Sequence, residues 1–161
     1  MQTSFIGIKT AQDPLDFLLW EKVLTGLTFA RIIELGTYKW GMSLFFFLWC
    51  MTKKAQFYTY DNKFFPLTRV GRRLGLVRRY KMVDVFEAEA EIGKLIAEPG
   101  VSVVFCDGGN KPLELKTFSK YIKTGDLIAV HDWGTEVLES DVPDNMMMLV
   151  KGQMTAFFIH V

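Results

Sequence analysis

The stretch from Arg31 to Asp61, RIIELGTYKWGMSLFFFLWCMTKKAQFYTYD, narrows the choice of folds more than any other part of this chain. It reads as an apolar strand, a glycine loop, an apolar helix and a second strand that ends in an acid. In the first strand, Arg31 to Leu35, residues Ile32, Ile33 and Leu35 form the apolar run expected of a parallel strand covered on both faces. Gly36 and Gly41 bracket a loop whose backbone can take conformations closed to residues with a Cβ, and Ser43 stands where a helix can start. Such a turn aims backbone N–H groups and the positive end of a helix at the carboxyl edge of a sheet. A ligand with carboxylate, hydroxyl or phosphate groups would bind there. The second strand, Gln56 to Tyr60, ends in Asp61, placed to accept hydrogen bonds from two neighbouring ribose hydroxyls.

The rest of the chain repeats the alternation. Asp13-Pro14 caps a first helix on which Leu15, Leu18, Leu19, Val23 and Leu27 recur at helical spacing. After Asp61, Phe64-Phe65-Pro66 makes a turn, and a short helix from about Pro66 to Leu74 ends at Gly75. Further strands are expected at Tyr80 to Val83, Val101 to Cys106 and Leu127 to Val130, with helices over Glu87 to Ala97 and Pro112 to Ile122. Met146 to Val150 and Thr155 to Val161, around Gly152, read as a closing hairpin, and the three consecutive methionines as strand packing. Alternating helix and strand predicts a three-layer α/β domain with a mainly parallel sheet, one domain over residues 1–161.

Composition excludes several classes. Cys50 and Cys106 both sit in apolar segments, which favours free buried thiols and a reducing cytoplasm. The most apolar run, Leu44 to Met51, is far shorter than the ~20 residues that span a bilayer, so no membrane partner is expected. The opening MQTSFIGIKT lacks the basic region and apolar block of a secretion signal. A net charge of +1 gives no global argument for nucleic acid. The densest basic stretch, Arg69 to Arg79, reads as a solvated helix face and loop, with an acidic substrate or nucleic acid as the alternative. Trp20 and Trp49 are expected in the core, Trp40 and Trp133 along a cleft.

In α/β domains of this kind, ligands bind beyond the carboxyl ends of the strands. Polar residues stand at each of those ends: Glu34, Asp61, Asp84, Asp107, and His131 with Asp132. A shared cleft accounts for all of them together. Capping of the following helices accounts for some of them, Asp84 above all.

The run Glu34-Leu35-Gly36-Thr37-Tyr38-Lys39-Trp40-Gly41-Met42-Ser43 resembles the first motif of class I S-adenosylmethionine-dependent methyltransferases, nearest the catechol O-methyltransferase and cephalosporin-hydroxylase-like branch. It lacks the G-x-G-x-x-G of nicotinamide-dependent oxidoreductases. Asp107-Gly108 through Glu114, and Gly125-Asp126 through His131-Asp132, resemble later segments of the same branch. The resemblance implies a Rossmann-like class I methyltransferase fold with an antiparallel C-terminal strand. It implies that Glu34, Gly36, Thr37, Gly41 and Ser43 face the methionine part of S-adenosylmethionine, Asp61 the ribose, and Asp84 with Val85 or Phe86 the adenine. Replacing Asp61 by Ala is then expected to weaken binding while the domain stays folded.

Asp107 and His131-Asp132 would converge on one point, where carboxylate oxygens and an imidazole suit Mg2+ or Mn2+. In metal-dependent relatives such an ion binds the acceptor hydroxyl and lowers its pKa. Those enzymes carry Asp-Asn where this chain has His131-Asp132, so for His131 metal ligation stands beside capping of the next turn or a hydrogen bond to Asp107. Lys111 lies near the place of the branch's lysine base, offset by one residue, and would need a depressed pKa to act so. Asp107, His131 and Lys111 are thus the catalytic candidates, and transfer to a hydroxyl of a small molecule or sugar is the expected activity. A non-catalytic module that binds S-adenosylmethionine or a nucleoside is the alternative. With little length to cover an acceptor, that site is expected to be open, completed by a second subunit in a homo-oligomer, or absent.

Overall fold

The computed structural model describes residues 3–161; Met1 and Gln2, which open the segment read for a leader, lie outside them. The chain starts with a hairpin that its pattern does not announce. Strands β1 (Thr3–Phe5) and β2 (Ile8–Thr10) pair antiparallel across Ile6-Gly7. Helix α1 (Pro14–Gly26) follows, with the Asp13 carboxylate accepting from the Leu15 N–H, the cap expected from Asp-Pro. Then come β3 (Arg31–Leu35), α2 (Gly41–Lys53), β4 (Gln56–Asp61), α3 (Arg69–Arg73), a 3₁₀ turn at Leu76–Arg79 and β5 (Tyr80–Met82). The second half runs α4 (Glu89–Ala97), β6 (Ser102–Cys106), α5 (Lys111–Phe118), β7 (Leu127–Val130), β8 (Met146–Lys151) and β9 (Ala156–His160).

Strands β3 to β9 form one seven-stranded sheet in the order β5-β4-β3-β6-β7-β9-β8. Its first five members are parallel. The C-terminal strand β9 inserts antiparallel between β7 and β8, so the expected hairpin closes the sheet. The order reverses at β3, whose neighbours are β4 and β6. That places a topological switch, and hence the crevice, beyond the carboxyl ends of β3 and β6.

Alternate strand residues feed two cores. Ile32, Phe57, Val103, Phe105, Ala129 and Phe157 face α1 and α2, where Trp20 meets Phe46, Phe105 and Phe157 edge-on at ring distances of 4.7, 5.2 and 4.6 Å. Ile33, Leu35, Val104, Cys106, Ile128 and Val130 face α4 and α5. Three layers result, as the alternation predicts, and both cysteines are free and buried.

Helix α1 departs from its expected face. Leu19, Val23 and Leu27 pack against the core, but Leu15 and Leu18 are exposed, and Asp16, Trp20 and Leu24 are the buried residues. Asp16 explains the rotation. Its carboxylate accepts from the backbone N–H of Gln153 (2.8 Å) and Met154 (3.0 Å) and from the Thr155 hydroxyl (3.0 Å), fastening the helix to the β8–β9 turn. A buried carboxylate needs such donors, and no apolar residue could supply the same link.

Candidate functional site

At the switch point the ends of β3 and β6 touch. Gly36 adopts φ +96°, and a Cβ there would overlap the Asp107 carbonyl. Gly36 thus carries unusual backbone as expected, whereas Gly41 does not. Positive φ values also fall on Tyr38 (47°) and Trp40 (71°), while Gly41 is the place where β2 packs against the start of α2 without room for a side chain. Positive φ at bulky residues is costly and persists only where the surroundings impose it. Asp61 holds the backbone at Tyr38. Its Oδ2 accepts from the N–H groups of Thr37 (2.9 Å) and Tyr38 (3.0 Å), and its Oδ1 from Lys63 (2.9 Å).

Two cavities open beyond the sheet. The larger, about 510 Å³, is lined by Gly36, Tyr38, Tyr60, Asp61, Asp84, Val85, Phe86 and the loop Asp107 to Asn110, with Glu114 at its base. The smaller, about 400 Å³, is lined by Ala11, Asp13, Tyr38, Asp107, Lys111, His131, Asp132 and Met154. Tyr38 and Asp107 belong to both, so they form the partition. The sequence reading brings Gly36, Asp61, Asp84, Phe86 and Asp107 to the larger cavity. Asp84 also accepts the Phe86 N–H at 2.8 Å, but this bond closes the turn before α4, whose cap position is Ala88, so Asp84 does not cap that helix.

Four expected residues stand behind the wall. Glu34, Thr37, Gly41 and Ser43 are buried and line neither cavity. Glu34 Oε2 accepts from the hydroxyls of Ser43 (2.5 Å) and Thr59 (2.6 Å), and Thr37 and Thr59 share a further bond of 2.6 Å. Complete burial pushes the Glu34 carboxyl up to about 8, with Ser43 and Thr59 opposing. These four residues brace the loop in this structure. Trp40 is also interior, its indole N–H donating to the Phe65 carbonyl at 2.7 Å, and Trp133 packs on Phe158; neither lines a cavity as expected.

In the smaller cavity Asp107, His131 and Asp132 do converge. One ligand atom from each lies within 4.8 Å of the others. His131 Nδ1 is 3.1 Å from Asp107 Oδ1 and 3.3 Å from Asp132 Oδ2, yet among the described residues neither ring nitrogen has an aligned hydrogen-bond partner. Burial lowers the imidazole pKa, but the two carboxylates outweigh it and bring it to about 9. Asp132 sits at φ 57° and its carboxyl is held well below the usual range, first by His131 and then by Lys111. A buried imidazole with orphaned nitrogens beside two carboxylates fits the donor set of a divalent ion.

Lys111 corrects one expectation. Its ammonium pairs with Asp132 and Glu136, each at 2.9 Å, and these carboxylates raise its pKa against the opposing effect of burial. A base at neutral pH would need the reverse shift, so Lys111 acts here as a fixed cation.

Three partners escaped the sequence reading. Gln12, 1% exposed, donates from Nε2 to Asp107 Oδ2 at 2.8 Å. Glu114, named only as part of a motif, accepts from the N–H groups of Gly108 (3.1 Å) and Asn110 (3.2 Å) and so shapes the Asp107 loop, its own pKa pushed up to about 7 by burial. Glu136 completes the Lys111 bridge. Only Glu114 carried a signal, its spacing from Asp107. Ala11 and Asp13, from the segment before α1, contribute to the wall of the smaller cavity.

No protein-family model matches this chain, and no curated protein matches it in sequence. Solved structures do. A CmcI-N160 structure with SAH superposes with a TM-score of 0.67 at 15% identity, covering 96% of this chain and 80% of that one. The fold is the class I methyltransferase fold. The SAH-bound methyltransferase PaMTH1 of Podospora anserina gives 0.61 at 14% identity, over 93% of this chain and 80% of its own. A CmcI-D160 structure described as Mg-SAM gives 0.57 at 16% identity over 81% of this chain, which spans 57% of that protein's length.

Proposed function

We propose that this chain, as a single domain over residues 1–161, is an S-adenosylmethionine-dependent methyltransferase that methylates a hydroxyl oxygen of a small molecule or sugar in the cytoplasm. The observation that carries this reading is the pair of cavities meeting at Tyr38 and Asp107. The larger is sized and lined for a nucleoside with an amino-acid arm: Val85 and Phe86 offer an apolar wall, and Asp61 and Asp84 offer acceptors. A Cβ on Gly109, which lines that cavity, would meet nothing within 4 Å, so the space beside it is open to a ligand.

S-adenosylmethionine supplies an already activated methyl group, so the protein's task is alignment and exclusion of water. Asp107 at the partition would orient the acceptor hydroxyl towards the donor side. Asp107, His131 and Asp132 would hold Mg2+ or Mn2+, which would supply Lewis acidity to that hydroxyl. His131 holds its proton at neutral pH, so ligation would release it. Glu34, Thr37, Gly41 and Ser43 serve the donor by fixing the loop.

Transfer of labelled methyl to a panel of polyhydroxylated acceptors, with and without chelator, tests the reading. Methylation that chelation abolishes and Mg2+ or Mn2+ restores is expected. Stabilisation by SAH without transfer to any acceptor would favour a non-catalytic binding module instead. That second reading draws on one observation, the Lys111 ammonium already neutralising Asp132.

A further inference from the structure

Between Asp61 and Asp84 the chain carries no acid. Residues 62–83 read NKFFPLTRVGRRLGLVRRYKMV, and Lys63, Arg69, Arg72, Arg73, Arg78, Arg79 and Lys81 are their only charges. All 18 acids lie elsewhere, so a chain of net charge +1 is strongly polarised. The segment comprises α3, the 3₁₀ turn and β5, at one edge of the sheet. Its seven cations are all exposed. Lys81 pairs with Glu91, whereas among the described residues the five arginines have no ion pair.

Aliphatic and aromatic side chains are exposed among these cations. Phe64 is 53% and Met82 66% exposed, and Val70, Leu74 and Val77 are exposed with them. The segment is nonetheless anchored, because Leu67, Gly71 and Leu76 are buried beneath it. A solvated helix face has no use for five exposed apolar side chains beside five unpaired arginines. Cations that reach anionic headgroups, beside apolar side chains that enter the acyl boundary, are the chemistry of an interfacial membrane contact.

We infer that residues 62–82 are a docking surface for an anionic lipid bilayer. A second copy of the chain is a poor occupant, since the same face would set arginines against arginines. Single-stranded nucleic acid is bound by stacking on aromatic rings, and four of the five exposed apolar residues are not aromatic. The contact is adhesion, for among the described residues no helix is long and apolar enough to cross a membrane. It qualifies the expectation, drawn from hydropathy, that the chain has no membrane partner. Asn62, Lys63 and Phe65 also line the larger cavity, so adhesion would bring that mouth to the lipid surface. Nothing in the adhesion depends on methyl transfer, and it stands or falls separately.

Cosedimentation of the full chain with vesicles decides the matter. Vesicles of phosphatidylcholine with phosphatidylserine should carry the protein down at low salt and release it as ionic strength rises, while phosphatidylcholine alone should not. At about five-fold per charge, R72A/R73A should weaken binding roughly thirty-fold. R78A/R79A gives the same reading on a second site should the first variant fail to fold, and V77S should weaken binding without altering its salt dependence. Equal binding to both vesicle types, no binding to either, or displacement from vesicles by an oligonucleotide that binds more tightly would each overturn the inference.

Discussion

The Asp61 carboxylate offers four lone-pair positions. Three backbone N–H groups already occupy three of them, so a ribose would find one acceptor position free unless the loop yields. Asp61→Ala is still expected to leave the domain folded, but less stable. Truncation leaves the Thr37, Tyr38 and Lys63 donors without their acceptor, and a loss of about 1–3 kcal/mol is expected in urea unfolding together with weaker SAH binding in calorimetry. Gly109→Leu should do the opposite: its backbone is not in the left-handed region and a Cβ has free space, so stability should hold within about 0.5 kcal/mol. SAH affinity should fall at least about tenfold, because the side chain fills the cavity. Unchanged affinity for this variant would show that the larger cavity is not the donor pocket. At this scale the sequence was only partly legible. Residues at strand ends could be read from chain position alone. Whether a side chain faces the cavity or the interior could not, because Glu34 and Ser43 are turned inward by a hydrogen bond between residues nine apart, and Gln12 reaches Asp107 from 95 residues away.

Elements were more legible when they were buried on both sides. β3, β6 and β7 are buried at every residue; β6 and β7 are apolar almost throughout, and in β3 Ile32, Ile33 and Leu35 carry the run beside Arg31 and Glu34, so all three could be read directly. The β1–β2 hairpin could not, since three-residue strands leave no periodicity to count. Helix α1 shows the other limit. Leucines surround it, and one buried acid decides which face turns in. Asp16→Ala should consequently destabilise the chain by about 3 kcal/mol, more than the exposed Leu18→Ala, because it strands two backbone donors and a hydroxyl in the interior. Chemical denaturation of the two variants side by side measures this. A smaller loss for Asp16 than for Leu18 would refute the role of the staple.

Across the whole molecule, several buried groups shift with the same sign, Asp107 among them through its burial. Glu34 (4.5 to about 8), Glu114 (4.5 to about 7) and His131 (6.5 to about 9) all have raised values in the folded chain. A group with a raised folded pKa contributes stability that is complete below its unfolded value and lost as pH rises through the folded one. The thermal midpoint should thus fall between pH 5 and 9, and Glu34→Gln should flatten the part of that fall below about pH 8. A midpoint that rises over this interval would contradict the burial of these groups. The partition at Tyr38 and Asp107 has a further consequence. Two chambers that share a wall can couple, and any interaction between their occupants is a state function. Whatever factor SAH imposes on the affinity for Mn2+, Mn2+ must impose on the affinity for SAH, and a pair of titrations in either order will close the cycle.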